Sequence, residues 1–484
     1  MAAARSPALA EPGAGAHPHR LDTALLVLLG AGLFLVLKLN QWQSLGVHAE
    51  LAEFESRLHS TLHGAFMQRH PGEPAFFGEH FAPVLLLLLP FYALWPSPVT
   101  LLSIQALAAA AAAAPLHRLA LGRLGGRLAA AAVSLAYLVS RLLGHGLMYD
   151  FHMEIFYPLA FFTAFLAFEG RRWGWTSGAL LLALACKEDA AVAVSGFGIY
   201  VLARGERRAG MAIAAAGLAW LLVVVKLVMP AFRGGAGAGG YPFAFYWSGY
   251  GDTPAAILRG MLNPVTQARV LFAPPKPGQM LDLFAGVLFL PFADLVAAAC
   301  LVLPGCYILY SSDNPVMNGP ILYYGLLLLP FLFYAALLGM WRLGRNAGSA
   351  RGRWITVLAG ALLAVQLGNS RLFRLLSPDA FGRHARTASV RRLIALIPSG
   401  VPVSAQINLV SYLPVASDRR YLPDGLERAE AALFDTLGYS WPLEPAANRA
   451  LLARLEGSDA WRHEAAVDGM VLLRRRHRAP AAPP

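Results

Sequence analysis

Residues 22–39 read DTALLVLLGAGLFLVLKL, an apolar run whose only charges, Asp22 and Lys38, lie near its ends. At about 1.5 Å of helical rise per residue, a run of this length approaches the ~20 residues that cover a ~30 Å hydrocarbon core. No small-residue cleavage site follows it, so it reads as a retained first span and not as a signal peptide. The whole chain agrees. Its 484 residues are 57% hydrophobic and only 14% charged, and the mean hydropathy is +0.51. Soluble domains run at about 45–50% apolar and about 25% charged. A set of soluble domains would lack polar surface, and a disordered chain would need far lower hydrophobicity. A polytopic membrane protein remains.

Outward from the first span, the arginines set the topology. Residues 1–21 are rich in Ala, Pro and Gly and read as a disordered cytoplasmic tail. Residues 40–80 contain no lysine, which suits a non-cytoplasmic loop, and 81–95 (FAPVLLLLLPFYALW) is too short to cross and reads as interfacial. Spans are then expected at 98–117, 128–143, 155–168, 176–186, 189–203, 209–229, 279–291, 292–309, 320–341 and 354–369. Arginine clusters at 118–127, 171–172, 204–208 and 342–353 mark the cytoplasmic side. With the first span this predicts about eleven crossings, a cytoplasmic N-terminus and an extracytoplasmic C-terminal domain. The net charge of +12 is accounted for by such loops; no basic stripe interleaved with aromatics suggests nucleic acid. Cys186, Cys300 and Cys306 lie in apolar runs without metal or disulfide spacing.

The last 115 residues, 370–484, change character. Charges become frequent, VPVSAQINLV (401–410) alternates like a strand, and 425–456 reads as helix. The expected fold is therefore an all-α membrane domain over 22–369, including an outer loop at 40–97, with a small α/β domain at its C-terminal side. The stretch 474–484, opening RRRHR, reads as a basic disordered tail, either solvated or resting on anionic lipid.

Under this topology the conspicuous polar residues fall on one side of the membrane. Ionisable groups near hydrocarbon are costly and tend to serve function. The first outer loop supplies Glu50, Glu53 and Glu55, then His59, His63, Glu79 and His80. The second supplies Asp150, His152 and Glu154. The turn between the runs 176–186 and 189–203 supplies Lys187, Glu188 and Asp189. Glu50 and Glu53 can share a helix face at i, i+3 spacing. A carboxylate in such a half-apolar loop can act as general base toward a hydroxyl, which makes Glu50 and Glu53 the candidate catalytic pair. Asp150, His152 and Glu154 alternate along the chain. In an extended loop they would face one way, either holding Mg²⁺ or Mn²⁺ or forming a hydrogen-bonded cluster. Lys187 can receive a phosphate, with Glu188 or Asp189 orienting it; the competing reading is the polar tip of a helical hairpin.

These residues sit in recognisable blocks: GEHFAPVLLLLLPFYALWPSPVTLLSIQAL (78–107), YDFHMEIFYP (149–158), CKEDAAVAVSGFGIYVL (186–202), SSDNPVMNGPILYYGLLLLPFLFYAALLG (311–339) and IPSGVPVSAQINLV (397–410). In their order over about 45–425 the chain resembles the bacterial membrane protein family catalogued as domain of unknown function 2079. It departs from the family pattern at Glu50–Glu55, at Met153 and at Tyr323-Tyr324, where relatives place a histidine. That family in turn resembles membrane glycosyltransferases of fold type C. The resemblance implies transfer of a sugar, with inversion, from a polyprenyl-phosphate donor to a glycan, lipid or protein acceptor at the outer face of the bacterial inner membrane. Glu50 would be the base and Lys187 the phosphate partner, while His80, Asp150, His152, Glu154, Glu188 and Asp189 would shape the substrate site. A lipid or solute transporter, and a non-catalytic scaffold, are the alternatives.

Overall fold

The computed structural model describes residues 16–234, 241–309, 323–370, 372 and 384–476. Most of the expected N-terminal tail, the block SSDNPVMNGP (311–320) and residues 477–484 lie outside the described residues. The chain divides into two compact units. The first comprises Met1–Leu35, Phe76–Leu87 and Ile104–Leu372, and the second Val36–Ala75, Leu88–Ser103 and Phe373–Pro484.

The main helices before the C-terminal region are α1 (Ala16–Gln43), α2 (Ala49–Leu62), α3 (Val84–Leu94), α4 (Pro98–Ala111), α5 (Ala113–Leu124), α6 (Arg127–Leu138), α7 (Arg141–Met148), α8 (Tyr157–Glu169), α9 (Trp173–Cys186), α10 (Ala190–Ala203), α11 (Arg207–Val223), α12 (Gly325–Arg345) and α13 (Arg351–Asn369). Among the described residues five helical stretches are long and apolar enough to cross a bilayer: Arg20–Gln43, Pro98–Leu124, Arg127–Met148, Arg207–Phe232 and Gly325–Arg345. The count of about eleven is not reproduced by this measure. The expected pair at 279–309 gives way to short pieces. Helix Lys276–Ala285 ends in a turn where Leu288 and Phe289 both take positive φ, and Pro291 and a cap by Asp294 follow. Apolar composition alone cannot report such a break.

In the first unit α12 is the central element. Every residue from Gly325 to Met340 is buried, as expected of a helix apolar on all sides. It packs on α5, α7 and α8, and α13 lies along α6. Asp22, at the start of α1, makes a two-bond contact of 2.6–2.7 Å with Arg127 at the start of α6, which sets those two helix starts side by side. The runs 176–186 and 189–203 were expected to pair as a hairpin. Instead α9 packs mainly on α8 and α10 mainly on α11. Helix α11 is buried only at Gly210 and Gly217. A Cβ on Gly210 would collide with the backbone of Leu202, and one on Gly198 with Ala214 nitrogen at 2.5 Å. Small residues let two membrane helices approach closely where lipid supplies no hydrophobic drive. Gly210→Leu is therefore expected to destabilise the chain by about 1–3 kcal/mol through overpacking. A thermal melt of the detergent-purified chain checks it; a melting point equal to the parent's would contradict this packing.

The second unit is built on a sheet of β1 (Val403–Ala405), β2 (Arg419–Tyr421), β3 (Ala431–Asp435), β4 (Trp461–Val467) and β5 (Met470–Arg475), in the order β2-β1-β3-β5-β4. The two β1 pairings are parallel and the other two antiparallel. Asp468 and Gly469, both at positive φ, close the β4–β5 hairpin, the Asp-Gly signature of a two-residue turn. Side chains alternate across the sheet. Ala431, Leu433, Met470 and Leu472 meet α2 (Ala49, Ala52) and α14 (His384–Ile394) through Val390 and Leu393. Ala432, Phe434 and Leu473 meet α15 (Pro445–Glu456) through Leu451, Leu452 and Leu455.

Three sequence expectations change here. The outer-loop helix α2 belongs with the C-terminal sheet. The stretch expected to be one helix over 425–456 holds the fully buried strand β3 before α15 begins. A strand covered on both faces shows no alternation and its AALFD sequence looks helical. Arg474 and Arg475, expected in a tail, lie in β5, where Arg475 donates to the carbonyls of Ala429 and Leu426.

Candidate active site

The turn between α9 and α10 is where the sequence concentrates charge, and the fold buries it. Lys187, Glu188 and Asp189 are 4%, 1% and 4% exposed. A solvated hairpin tip is thereby ruled out, because unpaired charges so placed would cost several kcal/mol each. Each finds a partner within the first unit. Lys187 Nζ lies 2.8 Å from Glu154 Oε1 and 3.8 Å from Asp189 Oδ2. Tyr157 donates to Asp189 at 2.6 Å. Glu188 has three partners: His80 Nδ1 lies 2.8 Å from Oε1, the Tyr241 hydroxyl donates to Oε1 at 2.9 Å, and the Phe81 backbone N–H donates to Oε2 at 3.1 Å.

Aromatic rings wall this cluster. His152 stacks on Tyr323 with centroids 3.7 Å apart, and His80 stacks on Phe243 at 4.4 Å, the planes within 2°. The Lys187 ammonium lies 5.9 and 5.6 Å from the ring centres of Tyr323 and Tyr324. Tyr323 and Tyr324 are thus part of the wall. His152 Nδ1 is 3.6 Å from Glu154 Oε2.

The fold therefore brings His80, His152, Glu154, Lys187, Glu188 and Asp189 together. Asp150 is fully buried nearby in the chain, where its backbone carbonyl accepts from Gln105 Nε2 at 3.0 Å. The expected metal triad does not form: among the described residues no three His, Cys, Asp or Glu side chains converge to hold a metal ion. Residues 153–156 form a 3-10 turn instead of an extended strand, and Glu154 is turned to the Lys187 ammonium. The expected phosphate partner also changes character, since Lys187 is a counter-ion to two carboxylates.

Glu50 and Glu53 lie on α2 in the second unit. Glu53 is held by Arg57 at 3.5 Å and Arg69 at 3.2 Å. Glu55 is bound by Arg419 at 2.7 Å and accepts from Tyr92 at 3.3 Å. Arg419 also donates to the Ala52 carbonyl and the Ser56 hydroxyl, both at 2.8 Å. Burial pushes the Glu55 carboxyl above its ordinary range against the pull of Arg419. Glu50 occupies the first turn of α2 and is half-buried.

Sequence reasoning missed Tyr157, Tyr241 and Phe243. The dense aromatic run YPFAFYWSGY (241–250) was the available signal. It also missed a second buried knot in the first unit. There Arg123 pairs with Glu169, Tyr334 donates to Glu169 at 2.5 Å, and the Tyr200 and Tyr334 hydroxyls lie 2.7 Å apart. Arg123 and Glu169 read in the sequence as ordinary helix-end charges.

The solved structures most similar in fold include ArnT from Cupriavidus metallidurans bound to undecaprenyl phosphate. At 13% identity it has a TM-score of 0.59, with 93% of this chain and 97% of that chain covered. The apo form of the same protein gives a TM-score of 0.54 at 12% identity, with the same shares covered. The oligosaccharyltransferase of Archaeoglobus fulgidus has a TM-score of 0.47 at 12% identity, over 85% of this chain and 68% of that one. No curated protein matches. The chain itself belongs to the family described as predicted membrane protein (DUF2079), whose family model matches residues 49–472.

Proposed function

We propose that this protein is an integral-membrane glycosyltransferase of the bacterial inner membrane. It moves a sugar from a polyprenyl-phosphate donor to an acceptor on the extracytoplasmic side. The observation that carries the reading is the buried centre of the first unit, where carboxylates and imidazoles sit among stacked aromatic rings. Flat aromatic faces suit the C–H faces of a sugar, and carboxylates and imidazoles suit its hydroxyls. The likeness of fold to ArnT, whose structure holds undecaprenyl phosphate, supports a lipid-phosphate donor. Such a donor carries its own stable leaving group. A single displacement at the anomeric carbon, with inversion, then needs a base for the acceptor hydroxyl more than an acid for the leaving oxygen.

Deleting the gene should remove a sugar from cell-envelope glycans or lipids, and a plasmid copy should restore it, as read by mass spectrometry. Membrane vesicles holding the full chain should release undecaprenyl phosphate from undecaprenyl-phosphate sugars extracted from bacterial membranes. An unchanged envelope together with intact donors would end this reading.

A further inference from the structure

The pairing of His80 with Glu188 has a chemical direction. Glu188 is buried and receives three contacts, from His80 Nδ1, Tyr241 and the Phe81 N–H. A carboxylate facing Nδ1 keeps the proton on that nitrogen and leaves Nε2 with its lone pair. The His80 ring is held flat against Phe243. Its side chain keeps 16% exposure, against 1% for Glu188. His80 Nε2 makes no hydrogen bond among the described residues. The dyad thus presents one oriented, accessible basic nitrogen backed by a saturated carboxylate. His152 is disposed differently. It turns Nδ1 toward a glutamate that already holds Lys187, and its Nε2 is buried.

We infer that His80 is the general base of sugar transfer and that Glu188 is the residue that positions it, an assignment that rests on the sugar-transfer reading above. As the acceptor oxygen bonds to the anomeric carbon, its proton passes to His80 Nε2. The bond from that carbon to the phosphate oxygen breaks, its electron pair leaving with the polyprenyl phosphate. The proton on the resulting imidazolium is later lost to water, and Glu188 stabilises the cation meanwhile. Glutamine at 188 cannot do this. Its amide has one acceptor oxygen. Turned toward His80 and Tyr241, it sets its NH₂ against the Phe81 N–H; turned toward Phe81, it offers His80 a donor and forces the proton onto Nε2.

The test uses vesicles holding the full chain and undecaprenyl-phosphate sugars extracted from bacterial membranes. His80→Asn keeps a donor toward Glu188 but removes the base. It should lower donor turnover by about 100-fold or more, while thermal stabilisation by undecaprenyl phosphate stays within about twofold. His80→Ala should regain part of its rate when imidazole is added, a recovery that a structural role would not give. Turnover by His80→Asn close to the parent's, or no rescue by imidazole, overturns the assignment. A parent chain that leaves the donors intact counts against sugar transfer itself. The dyad is then judged by diethyl pyrocarbonate: His80 should be carbethoxylated in the folded chain, and more slowly in Glu188→Gln. A His80 that does not react, or reacts equally in both, overturns it.

Discussion

Replacing Arg419 by methionine is expected to destabilise the second unit strongly. Arg419 is 4% exposed and its guanidinium reaches Glu55, Ser56 and the Ala52 and Leu413 carbonyls. Removing it strands a carboxylate that burial already pushes upward, so α2 could dock only with Glu55 protonated. Breaking one side of a buried pair costs about 3–5 kcal/mol, against a total stability of about 5–15 kcal/mol for an ordinary domain. Limited proteolysis should cut the variant within α2 and the sheet under conditions that spare the parent. The double variant Glu55→Gln/Arg419→Met should recover most of the resistance, because no charge is then left unpaired. If the single variant resists protease as the parent does, the pair does not hold this unit together.

The second large effect is expected at Lys187. Its ammonium neutralises Glu154 and faces Asp189, all three nearly sealed from solvent. Lys187→Met leaves two carboxylates buried without a cation, again about 3–5 kcal/mol, and should yield little folded protein from detergent extracts. Glu154→Gln combined with Lys187→Met should restore much of the folded yield. A phosphate-binding lysine behaves in the opposite way: the single variant folds and loses affinity for undecaprenyl phosphate. Size-exclusion chromatography and a melt with added undecaprenyl phosphate separate the two cases.

Both expectations concern residues whose roles the sequence could name only halfway. Glu55 stood in a row with Glu50 and Glu53 as one more acidic loop residue. Its partner lies 364 positions further on, and no local pattern connects them. Lys187 was conspicuous as a charge between two apolar runs. Whether it faced a ligand or Glu154 depended on where the turn before α8 would place residue 154. The same holds for His80, whose orientation is set by Glu188, 108 positions away.

Composition and the spacing of apolar runs determined by themselves that this chain belongs in a membrane. They also located most of the long helices and the positions, around 80, 150–154 and 187–189, where ionisable groups concentrate. Those are local properties, because transfer of a helix into hydrocarbon depends on the residues of that helix. Only the tertiary structure decided which charges neutralise each other, that α2 packs on a sheet formed near the other end of the chain, and that 279–309 breaks into short pieces. Pairing and burial are set by partners distant in sequence, and in a low-dielectric interior the partner decides whether a charged side chain acts as counter-ion, positioning group or base.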